Sequence, residues 1–273
     1  MNRGLLYLAK GETFVAEAER SAQRTATVMP QHPITIVADR EPDADCFDTV
    51  IIDRSSFEKR DKPLALQQTP YDRTIYLDTD TYLTDSIDGL FEILDAFDVG
   101  LRRDQGQSHV PESSQLPKSF PQFNSGVITY QSTQGVRDML KDWAQRCRPT
   151  DTFDQRSLRP ALYHSEVRFT PLPNRYNCQY HWKNVVDGPV KVFHGPLVER
   201  EARSILLEEA TSKLNSSHDV RLHYKWGGAL FVDPTPPFWT RVSTWMQLIA
   251  RRHGMQELLA RIAKKLLRRL FPF

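Results

Sequence analysis

Apolar residues along this chain fall into short continuous runs separated by longer periodic stretches. "GLLYLAK" (4–10), "ITIVAD" (34–39) and "TVIID" (49–53) are brief and nearly unbroken in apolar character, the pattern of parallel strands covered on both faces. Residues 74–78, "DVGLR" (98–102) and "GVITY" (126–130) repeat it, and further strands are expected at 167–173 and 190–195. Helical formers and period fill the intervals: 11–28, 62–68 closed by Pro70, and 86–97 with Thr84 or Asp85 as cap. The same reading gives helices at 133–147, 153–164 limited by Pro160, and 200–215. Residues 103–122 read as a long irregular stretch, which inside a compact domain is functional or disordered. Strand and helix alternate through the first half. That predicts an α/β fold, a mostly parallel central sheet flanked by helices, with ligands gathered beyond the carboxyl ends of its strands.

At 273 residues, one large domain is simpler than two small ones. The net charge of +2 is unevenly divided. Residues 239–273 hold eight Lys/Arg and one Glu, hence +7, and the 28 basic and 33 acidic residues of 1–238 give −5. The expected division is therefore a body at 1–238 and a basic tail at 239–273. Within the tail, Met255, Leu258, Leu259, Ile262, Ala263, Leu266 and Leu270 share one helical face, and Gln256, Glu257, Arg261, Lys264, Lys265 and Arg268 the other. Such a helix either packs on the body or lies on an anionic membrane surface, and Trp239 and Trp245 suit both. The tail lacks any nucleic-acid motif, so nucleic acid is not an expected partner.

Three widely spaced cysteines, Cys46, Cys147 and Cys178, make neither a disulfide framework nor a zinc ribbon. A reducing cytosolic compartment fits, with the tail able to reach the inner membrane face. "MNRGLLYLAKG" is too short and too weakly apolar for a signal peptide, and no apolar run is long enough to span a bilayer.

Four stretches carry candidate chemistry. "RTIYLDTDTYL" (73–83) ends an apolar strand in Asp78 and Asp80, which alternation puts on one side of the chain with Thr79 turned away. The pair is either a solvated strand-end turn or an oxygen-ligand site for Mg²⁺ or Mn²⁺ bridged to a phosphate. His194, after the strand "VKVF", is either a turn residue or a third ligand. "FNSGV" (123–127) is either a loop-to-strand turn or a ligand approach in which Gly126 admits another group closely. "TFDQ" (152–155) reads as a capping box between Thr152 and Gln155, or as a place where Asp154 meets sugar hydroxyls.

In this order, "PYDRTIYLDTDTYL", "FNSGVITY", "DQ" and "VFHGP" resemble glycosyltransferase family 8 and the wider nucleotide-sugar transferases of GT-A (Rossmann-like) fold, across residues 4–200. The resemblance implies that Asp78, Asp80 and His194 hold Mn²⁺ (or Mg²⁺) at the diphosphate of a UDP-sugar. It implies that Leu8 and Ala9 lie against the uracil, Asp39 near base or ribose, and Lys62 near the nucleotide or donor sugar. Thr79 and Gly195 belong to the nucleotide-binding motifs. Asn124, Ser125 and Gly126 would face donor sugar or acceptor, and Asp154 with Gln155 would contact sugar hydroxyls. Retention of anomeric configuration and a glycan or lipid-linked acceptor follow from the same resemblance, although no nucleophile is evident in the residues. "YLAKGETF" departs from the family's Asp and aromatic after the first strand, and "HGPLVEREAR" lacks its late Lys and Trp, leaving Arg200 or Arg203 to serve the phosphates.

Three function classes are therefore in view. They are a metal-dependent glycosyltransferase, a nucleotidyltransferase or other phosphate-handling metal enzyme, and a non-catalytic sugar-nucleotide or lipid-binding protein. No G-x-x-x-x-G-K-[ST] loop exists, which argues against P-loop enzymes.

Overall fold

The structure, a computed structural model, describes residues 1–58, 60–104, 116–148, 153–180, 182–195, 207–226, 229–233 and a few positions of the tail (243, 246, 250, 254–257, 259 and 260). The chain divides into two units, Met1–Asp233 and Pro234–Phe273.

In the first unit β1 (Arg3–Ala9) is followed by α1 (Glu12–Val28), β2 (Ile34–Ala38), β3 (Thr49–Ile52), α2 (Asp61–Gln67), β4 (Arg73–Leu77) and β5 (Thr81–Leu83). Then come α3 (Gly89–Glu92), β6 (Val99–Arg103), β7 (Phe123–Gln131), α4 (Gln134–Arg146), α5 (Gln155–His164), β8 (Phe169–Pro171), β9 (Cys178–Gln179), β10 (Asn184–Val186) and β11 (Val192–His194). The unit closes with α6 (Leu207–Leu214), β12 (Arg221–Trp226) and β13 (Ala229–Asp233).

Seven strands form the central sheet in the order β3-β2-β1-β4-β7-β6-β8. All neighbours are parallel except β7, which runs against both β4 and β6. The mostly parallel α/β sheet expected from the run pattern is present. Strand β1 alternates between two cores. Leu5, Tyr7 and Ala9 join α1, while Leu6 and Leu8 join a core with Leu66 of α2, Trp143 of α4 and Leu158 of α5. Each such leucine is worth about 1.5–3 kcal/mol on burial, which explains why apolar continuity rather than alternation marks the strand. The order turns outward from β1 in both directions, so the crevice at the ends of β1 and β4 is the topological switch point.

Several local expectations are corrected. The helix at 86–97 is one α-turn, preceded by Asp88 without a side-chain cap and continued as a 3-10 turn at Ile93–Asp95, not a helix capped by Thr84 or Asp85. Pro160 does not limit α5, which continues to His164 because Leu158, Ala161 and Leu162 are buried around it. Asn124 and Ser125 lie inside β7, buried, and not in a turn before it. The capping box fails because α5 starts at Gln155, with Asp154 before it making no side-chain cap. Thr152 lies outside the described residues, as do 200–206 of the helix expected at 200–215.

Two small sheets, β5-β11-β9 and β10-β12-β13, complete the unit. Antiparallel pairing of β11 with β5 sets His194 opposite Thr81. In the second unit residues 254–257, 259 and 260 are helical, with Met255 and Leu259 largely exposed. Most of the amphipathic segment lies outside the described residues.

Candidate active site

Strand β4 ends at Leu77, and the chain turns through Asp78, Thr79 and Asp80 into β5. The turn's backbone is tied to its neighbours at both aspartates. Asp78 N–H donates to the Gly126 carbonyl (2.8 Å), and the Thr81 N–H and hydroxyl donate to the Asp78 carbonyl (3.1 and 2.7 Å). Gly195 N–H donates to the Asp80 carbonyl (2.9 Å), tying the end of β11 to the turn. Gly195 sits at φ 132°, where glycine is favoured. Thr79 donates its hydroxyl to Glu17 Oε2 (2.6 Å). Held this way, Asp78, Asp80 and His194 each bring one ligand atom within 4.8 Å of the others.

His194 Nε2 lies 3.3 Å from Asp80 Oδ1 and 3.9 Å from Asp78 Oδ2. Its Nδ1 donates to Asn177 Oδ1 (2.8 Å), whose amide N–H donates to Asn124 Oδ1 (2.7 Å), which also accepts from Gly126 N–H (2.9 Å). The chain of bonds favours the tautomer with Nδ1 protonated and turns Nε2 toward the two carboxylates. Burial alone would lower the imidazole pKa; Asp80 and Asp78 outweigh it and raise it above its ordinary value. Burial likewise pushes Asp80 up, but His194 and Lys62 hold it below the usual carboxylate range. Two carboxylates and a neutral imidazole are a donor set that suits Mn²⁺ or Mg²⁺.

Gly126 has a specific reason to lack a side chain. A Cβ there would meet the His194 ring at 2.2 Å. The close approach expected at this glycine is made by the imidazole.

Successive residues of β7 serve opposite faces. Asn124 reaches Asn177, whereas Ser125 donates to Asp154 Oδ2 (2.8 Å) and accepts from Lys62 Nζ (3.2 Å). Lys62 also pairs with Asp154 Oδ2 (3.3 Å) and Asp78 Oδ1 (2.8 Å). Tyr76 donates to the same Asp78 Oδ1 (2.7 Å), so that oxygen is spent and Oδ2 is the one facing His194. Burial would strip the proton from Lys62, but Asp154 and Asp78 reverse that and raise its pKa. Gln155 follows as the first residue of α5, and no hydrogen bond joins it to this cluster among the described residues.

A cavity of about 350 Å³ opens beside the turn. Leu8, Ala9, Lys62, Asp78, Thr79 and Asp80 line it, as do Lys10, Phe14, Glu17, Phe57 and Tyr76. Asp39 is not among them; its Oδ2 accepts from Gly11 N–H (3.0 Å) and so holds the β1–α1 turn. Lys10, where the resemblance leads one to expect an acid, is buried and bonded to Asp53, Ser55 and Asp61. Asn177, Tyr76, Glu17 and Lys10 escaped the sequence reading. Only Lys10 left a trace, as a departure in "YLAKGETF".

Residues 59–194 match the family model of nucleotide-diphospho-sugar transferases, a span that includes the Asp78 turn, β7, Asp154 and His194. This match and the sheet topology together support a nucleotide-sugar transferase of GT-A fold. No curated protein matches this transferase in sequence. Among solved structures, it is similar in fold to galactosyltransferase LgtC in complex with donor and acceptor sugar analogs, at 14% identity and TM-score 0.54, covering 87% of this chain and 99% of that one. An active-site mutant of LgtC gives 15% identity and TM-score 0.55 over the same shares. Mouse xyloside xylosyltransferase 1 is a more distant likeness, at 16% identity and TM-score 0.47, covering 71% of this transferase and 98% of that protein.

Proposed function

We propose that this glycosyltransferase moves a sugar from a UDP-sugar to an acceptor hydroxyl, with Mn²⁺ (or Mg²⁺) held by Asp78 Oδ2, Asp80 Oδ1 and His194 Nε2. The observation that carries this reading is the convergence of those three groups, two of them lining the cavity, with His194 Nδ1 fixed by Asn177. When bound, the cation supplies Lewis-acid neutralisation of the charge that builds on the leaving diphosphate. Leu8 and Ala9 give the base an apolar wall. Lys62 keeps its positive charge in the buried cluster and adds to the field on the phosphates. Asn124 of β7 and Asp154, just before α5, orient sugar hydroxyls about a reaction centre whose sugar carbon becomes oxocarbenium-like.

Retention is the outcome the family resemblance implies, and the anomeric configuration of the product by NMR decides it. LgtC's capture of donor and acceptor sugar analogs supports the same two-substrate reading. For the tail we favour an anionic membrane surface, which would bring lipid-linked acceptors within reach at the inner membrane face. The +7 charge of 239–273 and the exposed Met255 and Leu259 support it, and no helix among the described residues is long and apolar enough to cross a membrane. Co-sedimentation of the full chain with anionic but not zwitterionic vesicles is the expected result.

The central test is calorimetry of UDP-sugars with and without Mn²⁺. One UDP-sugar is expected to bind only with the metal, and Asp80→Ala is expected to abolish that binding. Equal binding after Asp80→Ala removes the metal assignment.

A further inference from the structure

Arg102 stands next to the metal ligands in a state that stability alone does not explain. It is 1% exposed. Nη2 donates to Gln179 Oε1 and lies 3.8 Å from Asp104 Oδ1, while Nε and Nη1 have no hydrogen-bond partner. Gln122, 4% exposed, also has its Nε2 unpaired. Buried donors are almost always satisfied, and a buried guanidinium most of all.

The backbone has been bent to put Arg102 there. Strands β6 and β7 pair regularly up to Leu101 opposite Ile128, and then the register shifts so that Arg102 lies opposite Asn124. Asp104 N–H donates to the Gln122 carbonyl two residues further on. Directly opposed residues of an antiparallel pair share a face. Arg102 therefore lies on the side of Asn124, where Asn177 and His194 are bonded. Gln179, to which Arg102 is bonded, pairs with His194 between β9 and β11. Bulges beside active sites serve to re-aim a side chain in this way.

We propose that Arg102, with Gln122 beside it, forms an anion subsite adjoining the Asp78–Asp80–His194 centre and binds a phosphoryl or carboxylate group of the substrate. The identity of that substrate rests on the nucleotide-sugar reading; the subsite itself does not. The guanidinium offers donors in fixed directions together with a positive charge, which a neutral amide or hydroxyl lacks. Two sources could supply the group: the diphosphate of the donor, or an acidic substituent on a sugar. The chain lacks the Lys expected after Gly195, so a cation from β6 is available for either.

Arg102→Met keeps similar volume and removes the charge. Binding is measured for wild type and variant with Mn²⁺ present, using inorganic pyrophosphate, UDP, UDP-glucose and UDP-glucuronate, and melting is followed in parallel. The expected result is at least a tenfold loss of affinity in Arg102→Met, partly restored by Arg102→Lys, with a melting temperature equal to or above wild type. A loss for pyrophosphate, UDP and both sugar nucleotides alike assigns the diphosphate; a loss confined to UDP-glucuronate assigns the sugar acid. Unchanged affinities for every probe, or a wild type that binds none of them, overturn the subsite. So does a lower melting temperature with unchanged affinity, which makes Arg102 a strut for Gln179. Arg102-dependent binding of pyrophosphate without any binding of UDP keeps the subsite and sinks the nucleotide-sugar reading instead.

Discussion

Asn177 Oδ1 accepts the Nδ1 proton of His194 at 2.8 Å, and this bond decides which nitrogen of the imidazole faces Asp78 and Asp80. Asn177 is itself held by Asn124, so a residue of β7 orients a ligand on β11 through one intermediary. Outer partners of ligating histidines typically contribute about 10–100-fold in metal affinity. Asn177→Leu is therefore expected to weaken Mn²⁺ binding by that order. Asn177→Asp, which keeps the acceptor, is expected to retain most of it. Titration of Mn²⁺ by electron paramagnetic resonance reads both; an unchanged affinity in Asn177→Leu would show that the imidazole needs no such partner.

Gly126→Ala tests the same ring from below. The added methyl would lie 2.2 Å from His194 Cε1, and the imidazole, fixed by Asn177 and packed on β7, has little room to retreat. Over-packing of this kind costs about 1–3 kcal/mol. Lower thermal stability and weakened Mn²⁺ binding are expected together. A variant with normal stability and normal metal affinity would mean that the ring can swing aside.

Much of this architecture was legible because burial on both faces leaves an unmistakable mark. Leu5–Ala9, Ile34–Ala38 and Arg73–Leu77 are strands wherever their neighbours lie. The Asp78–Asp80 pair was legible for a related reason: charge directly after such a strand has few cheap explanations. What stayed hidden depends on partners distant in sequence. Strand β5 is three residues long and exists because β11 pairs with it across more than a hundred positions. Asn177 stands between a 3-10 turn and a two-residue strand, with no period to announce it. The local argument failed outright at Asp154: its carboxylate serves Ser125 and Lys62, and α5 starts without its help.

Lys62 joins the Asp78 turn to Asp154, and removing it isolates two carboxylates. Lys62→Met is expected to cost up to about 3–5 kcal/mol, the range for breaking a buried ion pair. UDP-sugar binding should fall with it. Because Asp154 and Asp78 raise the folded pKa of Lys62, its contribution is fully present below the unfolded lysine value and fades only as pH rises through the higher folded value. The difference in stability between wild type and Lys62→Met should thus be flat from about pH 6 to pH 9. Denaturant titrations across that range check it, and a difference that shrinks before about pH 9 contradicts a permanently charged Lys62.

The acid limb of stability has an identifiable contributor beside Lys10. Asp53 Oδ2 accepts from Lys10 Nζ (2.8 Å) and Oδ1 from Ser55 N–H (3.0 Å). The Lys10 bond first, and the Ser55 bonds after it, pull the Asp53 pKa down to about 2. A carboxylate depressed in the folded state stabilises the fold above its unfolded pKa, about 3.9, and loses that contribution as pH falls through the folded value. Asp53→Asn removes the charge and keeps the shape. Wild type is expected to exceed the variant in stability by a constant amount above about pH 4.5, with the gap closing as pH falls toward about 2. The comparison is made by guanidinium unfolding at steps of pH. A gap that persists unchanged to the acid end would assign the Asp53 contribution to hydrogen bonding alone, and a gap that is absent at neutral pH would mean that Ser55 and Asp61 satisfy Lys10 without it.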